Sequence, residues 1–412
     1  MPEPTCIDLF AGCGGLSMGL EQSGFHPVFV NELHPTALST YLQNRFDEWI
    51  HSPQNSSNDI LEISQNPSEL DALARRLRSK FGDISVVAGG PPCQGYSGIG
   101  HRRTFNLAKE AIPSNHLYRE MALFVSAIAP RFFVFENVKG LLTSRWTPDG
   151  LKGEIWEDVQ SAFRDIEVKD GRRRLGYRIE SKLLLAKQFG VPQNRPRVIM
   201  IGVREDVDDA VVKGAGLFPT NVAEPPHLID LLGDLVDPNW LPGGATLSYP
   251  SSALTDVQRA MRTTPSGTLL AKGNPVSEHE YSKHSPHVIE KFEYMLANDG
   301  QIPQHLRTKK FAQRVLPKRW GEKGPTITAT SLPDDYVHFS QPRVPTVREW
   351  ARLQTFPDWY QFAGGRTTGG RRRAGDPSIG NWTRDLPKYT QIGNAVPVYL
   401  ARAVGEHLAK FC

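Results

Sequence analysis

The stretch TCIDLFAGCGGLSMGLEQSGF, Thr5 to Phe25, decides the fold. It opens with an apolar run that ends at Phe10 and has the length of a buried strand. Gly12, Gly14 and Gly15 crowd the turn that follows, and Leu16, Met18 and Leu20 begin an amphipathic helix. Strand, glycine turn, helix is the opening unit of an α/β sheet whose backbone comes close to a ligand. The glycines do not follow G-x-G-x-x-G, so the turn lacks the dinucleotide fingerprint. A second apolar run, HPVFVNEL, carries Glu32 at its end. An acid there is placed to accept hydrogen bonds from ribose hydroxyls.

Further along, DISVVAGG at Asp83–Gly90 reads as another buried strand and runs into GGPPCQGYSGIG, Gly89–Gly100. Cys93 therefore sits at the carboxyl end of a strand, where open α/β sheets hold their ligands. Pro91 and Pro92 fix two φ angles and remove two N–H donors, which stiffens the loop. A cysteine that only packs needs neither the prolines nor the glycines around it.

Residues 1–205 alternate apolar runs with helical patterns, as βαβ units do. Leu70–Phe81 reads as an amphipathic helix, His116–Pro130 as a helix ended by proline, and RFFVFENV and RPRVIMIGV as buried strands. After about residue 210, Pro, Gly and Ser become frequent and helical periodicity fades, returning at VREWARLQ and at VPVYLARAVGEHLAKF. A chain of 412 residues exceeds one ordinary domain. Hydrophobic residues at 39% and charged residues at 22% are normal for a soluble globular protein. The cysteines Cys6, Cys13, Cys93 and Cys412 show no C-x-x-C or zinc spacing, and a reducing cytosol suits a required thiol. No signal peptide or membrane-length apolar run is visible. The net charge of +4 hides an asymmetry. Residues 301–345 hold eight Lys/Arg, Arg343 among them, against three acids, and residues 361–390 hold six against two. Two basic segments on a slightly acidic body fit a phosphate-binding cleft.

Six segments in series, DLFAGCGG (Asp8–Gly15), PPCQ (Pro91–Gln94), ENV (Glu136–Val138), QNRPR (Gln193–Arg197), TVREWARLQTFPD (Thr346–Asp358) and QIGNAVP (Gln391–Pro397), resemble the DNA (cytosine-5) methyltransferases of bacterial restriction-modification systems. The resemblance spans nearly the whole chain. It implies a Rossmann-like, S-adenosylmethionine-dependent methyltransferase domain with a smaller, mostly irregular or β target-recognition domain. The implied boundaries are 1–210 for the catalytic domain and 211–340 for target recognition. Residues 341–412 return to the catalytic domain, the last helix packing beside the first strand. A basic insertion at about 361–390 exceeds the minimal family pattern; its Arg371, Arg372 and Arg373 are candidate phosphate contacts or part of a tolerated surface loop.

The chemistry agrees. C5 of cytosine is a poor nucleophile until a thiolate adds at C6, and Cys93 is the candidate. Charge builds toward N3 and O2, which an acid at N3 offsets; Glu136 at the end of RFFVFE is the candidate, and it must hold a proton to donate. Arg195 and Arg197 lie two apart on an extended segment and should point the same way. The resemblance assigns Arg197 to the O2 edge and to orienting Glu136, with Arg195 nearby. It also gives S-adenosylmethionine to Phe10 (adenine stacking), Glu32 (ribose), Asp59 (adenine amino group), Gly12, Gly14, Pro92 and Asn394. Asp59 reads equally as a helix cap. C6 is hidden in a duplex, so the base must be flipped out, and Gln94 and Ser97 lie on the loop that would close over it. No metal is needed. The implied partners are duplex DNA and a matching restriction endonuclease, without a stable complex between them. The enzyme would be a monomer in the prokaryotic cytoplasm, at the nucleoid. A tRNA methyltransferase built on the same motifs is the nearest rival. An exocyclic-amine methyltransferase would want an Asn-Pro-Pro-aromatic or acidic motif in place of PPC.

Overall fold

The computed structural model describes residues 3–92, 113–170, 173–207, 214–220, 222–307, 313–321, 324–329, 333–367 and 386–412. The chain divides into two compact units, one of residues 1–185, 196–221 and 398–412, the other of 186–195 and 222–397. Residues 341–397 thus pack in the second unit, and the segment returning to the first begins at Val398.

The first unit is built on β1 (Thr5–Leu9), β2 (His26–Asn31), β3 (Ser56–Ser57), β4 (Val86–Gly89) and β5 (Phe132–Val138). A small antiparallel pair, β6 (Val168–Asp170) and β7 (Arg173–Leu175), precedes β8 (Tyr177–Leu185) and β9 (Pro196–Arg204). One seven-stranded sheet has the order β3-β2-β1-β4-β5-β9-β8. The five strands from β3 to β5 pair in parallel, and β9 and β8 close the far edge antiparallel. The order reverses between β1 and β4, and ligands of open α/β sheets bind at the carboxyl ends beside such a switch point.

Its helices are α1 (Gly15–Glu21), α2 (Pro35–Gln43), α3 (Glu48–His51), α4 (Ile60–Ser64), α5 (Pro67–Phe81), α6 (Leu117–Ile128) and α7 (Glu154–Arg164). In α5 local chemistry sets both ends. Asn66 caps it, Pro67 opens it, Leu70, Leu73 and Leu77 are buried, and Gly82 stops it at φ 74°. The core around Ile7, Val87, Phe124, Phe133 and Phe163 is apolar throughout.

The second unit holds α8 (Leu228–Leu232), α9 (Asp256–Arg262), α10 (Pro286–Ala297), α11 (Val347–Leu353) and α12 (Lys388–Asn394). Its described ladder is the two-residue pair β10 (Arg314–Val315) and β11 (Tyr336–Val337); much of the rest is irregular. The chain then rejoins the first unit as α13 (Val398–Leu408), which packs on α1. The crossing is close. A Cβ on Gly19 would stand 2.4 Å from Ala401 Cβ, and one on Gly405 2.6 Å from Ser23 Oγ. No helix among the described residues is long and apolar enough to cross a membrane.

Candidate active site

The loop after β1 forms a turn at the switch point. Gly12 has φ 56° and Gly14 φ 83°, conformations that glycine alone adopts without strain. Phe10 also takes a positive φ, 56°, which is uncommon for a bulky residue and holds its half-buried ring at the strand end. A Cβ on Gly12 would meet nothing within 4 Å, so the turn borders open space. Glu32, just after β2, ties the two loops together. Its carboxylate accepts from Gly12 N at 2.8 Å and from His34 N at 2.7 Å. Burial pushes its pKa up, against the pull of those two amides. An open glycine turn, a strained aromatic and a fixed carboxylate at the switch point fit a nucleoside-bearing cofactor such as S-adenosylmethionine. Asp59 caps α4, its Oδ1 accepting from Leu61 N at 3.0 Å.

On the next strands the acid and the guanidinium meet. Glu136 on β5 stands opposite Ile199 on β9, and Val138 opposite Arg197. Side chains alternate along a strand, so Glu136 and Arg197 are diagonal neighbours on one sheet face. Arg197 Nε lies 2.7 Å from Glu136 Oε1, and both side chains are only about a tenth exposed (12% and 11%). Gly90 follows β4 directly, and a Cβ there would come within 2.8 Å of Glu136 Oε2. Asn137, buried beside Glu136, donates from Nδ2 to the Pro91 carbonyl at 3.1 Å. Pro91 is buried and Pro92 exposed. Cys93, Gln94 and Ser97 lie outside the described residues, as do Arg371, Arg372 and Arg373. The other cysteines are not activated: burial pushes the thiols of Cys6, Cys13 and Cys412 up.

Arg195 directly precedes β9, and its backbone carbonyl accepts from Ala186 N at 3.1 Å. It belongs to the second unit, where its guanidinium donates to the carbonyls of Ile327 (2.7 Å), Gly393 (2.8 Å) and Ala395 (3.0 Å). Gln193 bonds the Leu353 carbonyl and Gln354 Oε1, and Gln354 bonds the Ile392 carbonyl. Four places far apart in sequence, 193–195, Ile327, 353–354 and 392–395, are stitched into one knot. Asn394 ends α12, exposed, beside that knot.

Arg343, counted from sequence with the basic surface, is fully buried and bonds Glu349 through both carboxylate oxygens, at 2.8 and 2.6 Å. It contributes no charge to a phosphate-binding face. Sequence reasoning also left out Asn137 as a residue with a task of its own. The polar type of its side chain in a strand otherwise apolar on that face (Phe133, Phe135) was the available signal.

The C-5 cytosine-specific DNA methylase family profile matches residues 4–410. The Type II methyltransferase M1.HphI of Haemophilus parahaemolyticus is 30% identical over 411 residues, 98% of this chain and 87% of its own. M.DdeI of Desulfomicrobium norvegicum is 29% identical over 423 residues, with 98% and 88% covered. Among solved structures, an E. coli prophage-encoded protein assigned as a DNA modification methyltransferase superposes with a TM-score of 0.64 at 23% identity, covering 99% of both chains. The Entamoeba histolytica methyltransferase EhMeth superposes with a TM-score of 0.54 at 12% identity, covering 100% of this chain and 99% of its own. These two likenesses speak for the fold. Matched along almost its whole length, the chain belongs to the C-5 cytosine-specific DNA methylase family and is a DNA (cytosine-5)-methyltransferase whose methyl donor is S-adenosylmethionine.

Proposed function

We propose that the enzyme methylates one cytosine of a specific duplex sequence, turned out of the stack, with Cys93 as nucleophile and Glu136 as acid. The observation that carries this reading is the Glu136–Arg197 pair on β5 and β9, next to the loop that leads to Cys93. The Cys93 thiolate adds to C6; the S–C6 bond forms as the C5=C6 pair moves into the ring and N3 takes a proton from Glu136. C5 then holds a nucleophilic electron pair. Bound S-adenosylmethionine supplies a methyl group made electrophilic by its sulfonium. Loss of the C5 proton to water restores C5=C6 and expels the Cys93 thiolate, N3 returns its proton to Glu136, and the donor, its S–CH3 bond broken, would leave as S-adenosylhomocysteine. Arg197 holds Glu136 in place and faces the O2 edge, where negative charge gathers.

The cofactor would lie on Phe10, Gly12, Gly14, Glu32, Asp59, Pro92 and Asn394. Glu32 and Asp59 each keep acceptor capacity beyond their backbone bonds, since a carboxylate offers about four lone-pair sites. Residues 211–340 would read the DNA site, and Gln94, Ser97 and Arg371–Arg373 would contact the nucleic acid. The Type II relatives support a restriction-modification role, protection of host DNA from an endonuclease with the same site; the enzyme would act as a cytoplasmic monomer.

Cys93→Ser is the test. Methyl transfer should fall by more than 10³-fold while duplex binding survives, because a hydroxyl at neutral pH is a far weaker nucleophile than a thiolate. A duplex carrying 5-fluorocytosine should trap the wild-type enzyme covalently and the variant not at all. Activity within tenfold of wild type would sink the assignment, and methylation of tRNA in place of duplex DNA would move the substrate.

A further inference from the structure

The parallel ladder between β4 and β5 ends at the pair Gly89–Phe135. From there the chain toward Cys93 has no regular partner on β5, because Pro91 and Pro92 carry no N–H. Two side-chain facts replace the ladder. Asn137 donates from Nδ2 to the Pro91 carbonyl at 3.1 Å, and its own Oδ1 accepts from Val138 N at 2.8 Å. The amide is thereby held at both ends, one on its own strand and one on the loop. Opposite it, Gly90 lets Glu136 Oε2 come to 2.8 Å from where a Cβ would stand. One contact pulls the loop toward β5, and the other leaves room for the acid as it arrives. Both act within three residues of Cys93.

We propose that Asn137 and Gly90 form a two-point gauge that sets the separation between the Cys93 loop and the Glu136 carboxyl, so that thiol and acid reach the same pyrimidine ring. Asn137 is a positioning residue, acting through the loop and not on the base. The inference rests on the roles proposed above for Cys93 and Glu136. Misplacement of reacting groups by about 1 Å costs on the order of 10²-fold in rate.

The experiment uses the full-length enzyme with S-adenosylmethionine and duplexes carrying cytosine or 5-fluorocytosine. The quantities read are kcat, KM for DNA, cofactor affinity and the rate of covalent trapping. Asn137→Asp keeps size and acceptor but removes the donor, and it should lower kcat and trapping together by about 10²-fold. KM and cofactor affinity should stay within about threefold. Gly90→Ala should do the same by pushing against Glu136. The decisive readout is a double-mutant cycle: with Glu136→Asp in place, the shorter acid vacates the space, and the Gly90→Ala penalty should shrink by at least tenfold. A merely structural glycine gives equal penalties in both backgrounds, and that result overturns the gauge. So does Asn137→Asp with wild-type trapping. If Asn137→Asp does not fold, the Gly90–Glu136 cycle decides alone. Cys93→Ser runs alongside; if it still traps, the nucleophile assignment has failed and not the gauge.

Discussion

In the first unit, β4 and β5 spend their backbone N–H and C=O groups on neighbouring strands, and what lies between sheet and helices is Val, Leu, Ile and Phe. Among the described residues of the second unit few have a ladder partner, and side chains bond the irregular backbone. Arg348 donates to the carbonyls of Ser277, Pro357 and Tyr360, Arg352 to Leu231, and Gln391 to Ala363 and Leu386. Arg262, Arg343, Arg348 and Arg352 are all fully buried. A guanidinium offers five donors in a rigid fork and no acceptor, which suits a region with carbonyls to satisfy. Asp234, Asp358 and Glu349 balance the charge: Arg352 bridges the two aspartates, and Arg262 shares Asp234. An α/β sheet can be cut to shape by apolar packing. A unit whose described residues form so little sheet needs a polar frame, and such a frame fails differently.

The largest expected difference comes from removing one fork. Arg352→Met keeps volume but leaves Asp358 and Asp234 short of a buried partner, and should cost about 3–5 kcal/mol. Ile7→Val in the sheet core should cost only about 0.5–1.5 kcal/mol. Urea unfolding of both variants checks the contrast; equal penalties would mean the arginine frame carries no special weight.

The two units should also answer pH with opposite sign. Burial pushes Asp8 on β1 up to about 7, and neither carboxylate oxygen has a hydrogen bond of normal geometry, although Ser17 and Arg45 pull the other way and Glu21 adds to the rise. The folded first unit therefore holds a proton that the unfolded chain releases near pH 4, and it loses stability as pH rises from about 4 to 7. In the second unit burial drives His279 down to about 4 and His338 to about 3, while Arg343 holds Glu349 well below the usual carboxylate range. Those groups resist protonation in the fold, so that unit loses stability as pH falls from about 6.5 toward 3. Hydrogen exchange resolved by segment at pH 5 and pH 8 should show the two slopes crossing. Asp8→Asn should flatten the first slope alone. Parallel slopes, or an Asp8→Asn variant that keeps the wild-type pH profile, would refute this.

The smallest effect tests a local device. Thr346 accepts from Glu349 N, and Glu349 accepts from Thr346 N, a reciprocal cap at the start of α11. Thr346→Ala should cost about 1 kcal/mol by thermal melting. Because Glu349 also bonds Arg343, a loss above about 3 kcal/mol would show that cap and frame are one structure.

The strands β1, β2, β4, β5 and β9 were legible because each is a short apolar run buried on both faces. β8 was not, because YRIESKLLL is largely half-buried or exposed, as an edge strand is, and lacks that run. The Glu136–Arg197 pairing was legible only through resemblance, since antiparallel register cannot be read from two separate runs. The carbonyl partners of Arg195 were not legible, because Ile327, Gly393 and Ala395 lie more than 130 residues further along the chain. Arg343 did mislead. Charge counting treats every arginine as surface, and buried arginines are rare unless paired; the acid that pairs it lies six residues on, inside a helix cap. In contrast TVRE carries the T-x-x-E signature of that cap in plain view.

The close crossing of α1 and α13 sets an order of assembly. The face of α1 against which Ala401 and Gly405 pack is apolar and belongs to the helix that follows the glycine turn. At ribosomal speeds of about 5–20 residues per second, that face waits on the order of 20–80 seconds for its cover, while all of 222–397 is synthesised in between. The contact is among the most distant in sequence that the first unit makes, so its closure comes late and slowly. An interrupted chain that lacks α13 has every strand of the sheet but leaves Gly19 and Ser23, on and just after α1, uncovered. Completion of translation is thereby coupled to the closing of the first unit's fold.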